Sequence, residues 1–167
     1  KQQALSAPPQ ELSRDDVRSF QRAVLSHYRR HGRDLPWRQT TDPYLILVSE
    51  VMLQQTQVDR VLPKYLRFIE LFPDAASLAA APLGSVLAAW SGLGYNRRAL
   101  ALKKCAEAVV DEHGGRMPRS PDGLLRLPGI GPYTARAICV FAYNRAELVI
   151  ETNIRAVYID CFFSGRS

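Results

Sequence analysis

Three cysteines in 167 residues, at 105, 139 and 161, are too few and too scattered for a disulfide framework. They also lack the paired C-x-x-C spacing of a zinc or iron–sulfur ligand set, so no metal site is expected. No run of 18 apolar residues exists, which excludes a helical membrane span, and no membrane partner is expected. The opening KQQALSAPPQELSRDD has no apolar signal core. A reducing cytoplasmic compartment is therefore the expectation, at the nucleoid if the source is prokaryotic. Sustained two-residue alternation between hairpin turns is missing too, and with it the signal for strands. Internal repeats and low-complexity tracts are also absent.

What remains describes one soluble globular domain. Hydrophobic residues make up 47% and charged residues 23%, a balance that lets a chain of this length bury a continuous core. Lys and Arg number 22 against 16 acids, for a formal charge of +6, which makes a polyanion a candidate partner, nucleic acid first. The signal is weak alone, because many enzymes are mildly basic.

The periodicity is helical from end to end. Residues 1–10 read as a polar leader and 11–167 as one all-α domain. From Asp15 and Asp16, apolar Val17, Phe20, Val24, Leu25 and Tyr28 recur at helical spacing as far as Gly32. Asp42 and Pro43 supply an N-cap and a first helical residue for a helix over Pro43–Thr56. A third helix over Val58–Phe72 turns Val61, Tyr65, Phe68, Ile69 and Phe72 inward. Two short Ala- and Leu-rich helices follow, then a basic helix over 96–113 stopped by Gly114 and Gly115. A short helix from Pro121, one over Pro132–Tyr143 and a last one from about Thr152 complete the pattern. The apolar run IRAVYIDCFFSG in that last helix either packs back on the domain or continues into further chain.

Two features carry chemistry. The first is Leu127-Pro128-Gly129-Ile130-Gly131-Pro132-Tyr133-Thr134-Ala135, between two helices. Gly129 and Gly131 permit φ > 0 and close backbone approach, and Ile130 plugs the turn into the core. The turn amides and the next helix N-terminus then face outward as an anion site, the physics of a phosphate contact with duplex DNA. The alternative is a Gly/Pro connector that binds nothing. The second feature is a pair of carboxyls. Glu50 lies inside the apolar stretch Leu45–Leu53, where a charge must be satisfied or take up a proton, and a raised pKa suits a general acid. A Glu on a solvated helix stripe is the alternative. Glu151 precedes Thr152 and Asn153 at a helix start, where simple N-terminal charge compensation competes with a chemical role.

Leu35-Pro36-Trp37-Arg38, Asp42-Pro43-Tyr44, the block Ser49-Glu50-Val51-Met52-Leu53-Gln54-Gln55-Thr56-Gln57-Val58, Gly92-Leu93-Gly94-Tyr95 and the hairpin stand in one order. Over about residues 15–160 the chain resembles the helix–hairpin–helix DNA glycosylases, and within them the adenine glycosylases of the MutY type. The resemblance implies two helical lobes around a DNA-binding cleft, with Glu50 and Glu151 across it. It implies a monomer acting on double-stranded DNA that carries a mismatched or damaged base. Adenine opposite 8-oxoguanine or guanine is extruded and its N-glycosidic bond hydrolysed. Glu50 matches the acid that protonates the adenine, and Glu151 with Asn153 the carboxylate motif that stabilises the sugar cation. Tyr133 stands where strand-cleaving relatives carry a Schiff-base lysine, so base removal without efficient strand cleavage is expected. Gln54, Gln55 and Tyr95 match groups that wedge the opened stack. Leu127, Gly129, Ile130, Gly131, Thr134 and Arg97 match DNA contacts, and Arg33, Leu35, Trp37 and Arg38 match the base pocket. For Trp37 and Tyr95 ordinary aromatic packing is the alternative. Rivals to the adenine reading are a thymine or uracil mismatch glycosylase and a non-catalytic DNA-structure binder.

Two departures stand out. The family pattern D-x-N-V has Asp where this chain has Glu151, one methylene longer, and charge placement governs electrostatic stabilisation. The four-cysteine ligand pattern of the family's [4Fe–4S] cluster is not found in these residues, so no cofactor is evident and either this is a cluster-free branch or the chain is cut short; Cys105 and Cys139 read as buried free thiols. Arg97, Arg98, Lys103, Lys104 and Arg136 would make a phosphate-binding face if they share one side.

Overall fold

The structure is a computed structural model that describes residues 12–163, so the polar leader at 1–10 lies outside the described residues. The described residues hold no strand. They form α1 (Arg14–His31), a 3-10 turn (Pro36–Arg38), α2 (Pro43–Leu53), α3 (Val58–Leu71), α4 (Ala75–Ala80) and α5 (Leu83–Trp90). After these come α6 (Arg97–His113), α7 (Pro121–Leu125), α8 (Pro132–Tyr143) and α9 (Thr152–Phe163). No described helix is long and apolar enough to cross a membrane.

The helices group into two compact units, Leu35–Glu151 and, among described residues, 12–34 with 152–163. In the larger unit α2 is the central element. Asp42 caps it, accepting from the amides of Tyr44 at 2.8 Å and Leu45 at 3.3 Å, and Pro43 begins it where no N–H is needed. Seven of its eleven residues are buried. It packs against α3, α6 and α8, while α4 and α5 cover α6. Trp90, Tyr65, Phe68, Met52 and Ile138 are among the fully buried side chains of this core. Phe68 meets Trp90 edge-on at 6.0 Å and Trp37 meets Tyr65 at 5.1 Å, geometries that aromatic quadrupoles favour.

Helix α2 stops at Leu53, three residues short of the end expected at Thr56. The chain instead turns through Gln54 and a left-handed Gln55 at φ 56°. The reason is tertiary, as set out below. The ends of α6 and α8 are local: left-handed Gly114 and Asn144 close them with backbone bonds to carbonyls one turn back.

The smaller unit contains α1 and α9. Ser13 and Asp16 form a reciprocal capping box at the start of α1. Phe20 packs against Tyr158 at 5.7 Å and Phe162 at 4.9 Å between ring centroids. Neither helix has a buried residue. Val17, Val24, Leu25 and Tyr28, which recur at helical spacing, are exposed. The stripe has the spacing of a buried face, and Phe20 within it packs against two rings of α9.

Candidate active site

Glu50 sits near the C-terminal end of α2, flanked in sequence by buried Val48, Ser49, Val51 and Met52. Its carboxyl is itself half-buried. Burial raises its pKa from 4.5 to about 7, with desolvation as the cause. The expected alternative, a Glu on a solvated stripe, does not describe this environment. A carboxyl of this kind holds a proton about half the time at neutral pH and can give it up without a large penalty.

Tyr133, the second residue of α8, ties the site together. Its phenol is pushed above the usual range first by burial, then by the charge of Glu50, then by that of Glu151. Both carboxylates act on this one phenol, so residues 50, 133 and 151 form an electrostatic cluster within the larger unit. Tyr133 is 41% exposed, so the cluster is open to solvent. Its three members are two carboxyls and a phenol.

The hairpin before α8 is built as its sequence indicates. Ile130 is buried at 7% exposure, and its amide bonds to the Leu127 carbonyl at 3.3 Å. Gly129 has φ +77°, and a Cβ there would fall 2.8 Å from Ala101 Cβ on α6, so conformation and space both demand glycine. Gly131 caps α8 without a side-chain hydrogen bond, and Pro132 follows it. The first-turn amides of Tyr133 and Thr134 have no partner inside the helix, which leaves an anion-facing N-terminus. The Leu127 and Thr134 side chains are buried, so this turn offers a ligand its backbone.

Beyond Glu50 by one helical turn, exposed Gln54 and Gln55 line a recess of ≈ 390 Å³ with Tyr95, Arg97 and Arg98. Tyr95 is 57% exposed and left-handed at φ 48°. Leu35 and Trp37 belong to the core, and Arg38 is exposed beside them. Arg33 and Asn153 belong to the smaller unit, Arg33 after α1 and Asn153 in the first turn of α9.

The five basic residues named together do not share one environment. Arg97, Lys104 and Arg136 are exposed, whereas Arg98 is buried at 8% exposure. Lys103 is also turned away: its Nζ donates to the Ala79 carbonyl at 2.7 Å, at the end of α4, and pairs with Glu107 at 2.9 Å. Free carbonyls at helix ends compete successfully with solvent for these two cations.

Among the described residues no group of three or more His, Cys, Asp and Glu is placed to hold a metal. Cys105 and Cys139 are buried free thiols in the core of the larger unit, and Cys161 is exposed on α9. These residues do not fit a four-thiolate cluster.

The comparisons with known proteins meet this geometry. A family model described as HhH-GPD superfamily base excision DNA repair protein matches residues 48–167. The chain belongs to that superfamily. It is 50% identical over 135 residues to an adenine DNA glycosylase of Mycolicibacterium smegmatis, covering 80% of this chain and 46% of the relative. It is 44% identical over 135 residues to that of Mycobacterium tuberculosis, covering 80% and 44%. Against the human adenine DNA glycosylase it is 41% identical over 151 residues, covering 85% and 28%. Adenine DNA glycosylases are thus among its relatives, and the chain spans less than half the length of each of these three. A thermostable thymine-DNA glycosylase superposes with TM-score 0.81 at 30% identity, covering 86% of this chain and 67% of that one. Endonuclease III, trapped as a covalent intermediate with DNA, superposes at TM-score 0.76 and 21% identity, covering 89% and 68%, and supports the fold.

Proposed function

We propose that this chain removes mispaired adenine from duplex DNA by hydrolysing its N-glycosidic bond, as a monomer in the compartment that holds the DNA, the cytoplasm and the nucleoid of a prokaryote. The observation that carries the reading is the half-buried Glu50 carboxyl, poised near neutral pH and acting, like Glu151, on the Tyr133 phenol. The hairpin amides and Arg97 would hold phosphates, and Gln54, Gln55 and Tyr95 would fill the opened stack. Glu50 then gives its proton to a ring nitrogen of the extruded adenine. The glycosidic bond breaks with its electron pair going to the base, and the sugar passes through an oxocarbenium-like state. Glu151 provides negative charge for that cation through a side chain one methylene longer than the family's Asp. Water adds to the sugar carbon and returns a proton to the Glu50 carboxylate. Tyr133 cannot form a Schiff base, so the strand stays intact.

The 30% identical thymine-DNA glycosylase favours a second reading, thymine mispaired with guanine as the target. The Gln54-Gln55 pair, which the resemblance links to adenine enzymes, weighs against it. Duplexes with adenine:8-oxoguanine, adenine:guanine and thymine:guanine, each treated with alkali after incubation, separate the readings. Breaks are expected at adenine alone and only after alkali. Breaks at thymine alone would overturn the adenine reading, and breaks without alkali would overturn base removal as the sole step.

A further inference from the structure

Arg98 is the only buried charged residue among the described residues, and no carboxylate pairs with it. Its partners are five carbonyls and a hydroxyl, divided between its two terminal nitrogens. Nη1 donates to the carbonyls of Val51 and Met52, each at 3.1 Å, and to that of Gln54. These acceptors lie at the C-terminal end of α2, where a helix leaves carbonyls unsatisfied and attracts a cation. Nη2 donates to Thr56 Oγ1 at 3.1 Å and to the carbonyls of Leu93 at 3.1 Å and Gly94 at 3.3 Å. The guanidinium lies over Trp90 at 5.5 Å and Tyr95 at 5.4 Å, and the indole of Trp90 also donates to the Gly94 carbonyl. One side chain therefore fastens two turns that are about forty residues apart in sequence.

Each turn carries an exposed tip in a left-handed conformation that L residues rarely adopt: Gln55 at φ 56° and Tyr95 at φ 48°. Strain of this kind persists only where the surroundings over-determine it, and here Arg98 is the group shared by both tips. The tips flank one recess, with basic Arg97 beside it. An exposed ring on a stiff turn next to a cation suits insertion between base pairs, where a mobile loop would lose entropy on entering the stack.

We infer that Arg98 is a positioning residue that holds the Gln55 and Tyr95 tips as one rigid wedge, and that it acts on extrusion of the target base and not on the chemistry at Glu50. The inference rests on the reading of the chain as a DNA glycosylase. Arg98→Lys tests it, since lysine keeps the charge but cannot fork between the two turns. The probe is a duplex with 2-aminopurine in place of the target adenine, whose fluorescence rises on unstacking. Its companion is an excision assay on adenine mispaired with 8-oxoguanine and on adenine opposite an abasic site, which is already partly unstacked.

With circular dichroism showing the variant folded, affinity for the duplex should stay within about threefold of the unaltered chain. The fluorescence rise should be lost, and excision from the mispair should fall at least about tenfold, while excision opposite the abasic site changes little. Equal losses on both substrates, or an undiminished fluorescence rise, would overturn the inference. An unaltered chain that brightens the probe but excises nothing would overturn the catalytic reading and leave the Arg98 comparison decisive. An unaltered chain that does not brighten it would overturn the wedge. If Arg98→Lys does not fold, Thr56→Val removes one acceptor of Nη2, and a smaller loss of the same selective kind is expected, with its absence counting against the inference.

Discussion

Helices α1 and α3 are written in the same pattern and come to different ends. In α3, Val61, Tyr65 and Phe68 recur at helical spacing and all are buried, covered by α2 and α5. In α1, Val17, Val24 and Leu25 recur in the same way and all are exposed. An apolar stripe makes a helix amphipathic, but burial needs a second surface shaped to receive it. The larger unit supplies that surface with a core that includes Trp90, Phe72 and Leu78, while the smaller one holds the aromatic group of Phe20, Tyr158 and Phe162.

Paired substitutions break or sharpen this contrast. Phe68→Ala empties a fully buried site and should cost about 4 kcal/mol in a urea melt, whereas Val24→Ala on α1 should stay within about 0.5 kcal/mol. Comparable losses at the two positions would mean that the α1 stripe is covered after all.

Glu50→Gln probes the core from its polar side. The folded chain holds the Glu50 proton more tightly than the unfolded one, because its pKa is raised from 4.5 to about 7. Ionisation therefore adds no cost to its burial below about pH 4.5, and the added cost grows as pH rises toward the folded pKa, reaching roughly 3 kcal/mol above it. Glutamine cannot ionise, so Glu50→Gln should stabilise the chain by up to about 3 kcal/mol above pH 7 and leave it nearly unchanged near pH 4. A variant with no gain in urea melts at high pH would show that the carboxylate is well solvated.

What could be read from the sequence was local. The Asp42-Pro43 start of α2, the Gly129–Gly131 hairpin and the stops at Gly114 and Asn144 depend on residues within a turn of one another. Glu50 stood out because a charge in an apolar run must be accommodated. The early end of α2 and the inward turn of Arg98 were not legible, because they depend on carbonyls reached from 44 to 47 residues away. A doublet such as Arg97-Arg98 reads as two surface cations until the neighbouring helix end is in view. The clustering of Tyr133 with both carboxylates is likewise tertiary, although the family resemblance had marked all three residues.

The central claim is that Glu50 acts as a proton donor held near neutrality by burial. The direct measurement is the single-turnover rate of adenine excision from an adenine:8-oxoguanine duplex as a function of pH, for the unaltered chain and for Glu50→Gln. The rate should be level below about pH 7 and fall about tenfold per unit above it, while Glu50→Gln binds the duplex and excises at least about 100-fold more slowly throughout. A rate that stays level to about pH 9, or a Glu50→Gln variant as fast as the unaltered chain, would contradict it.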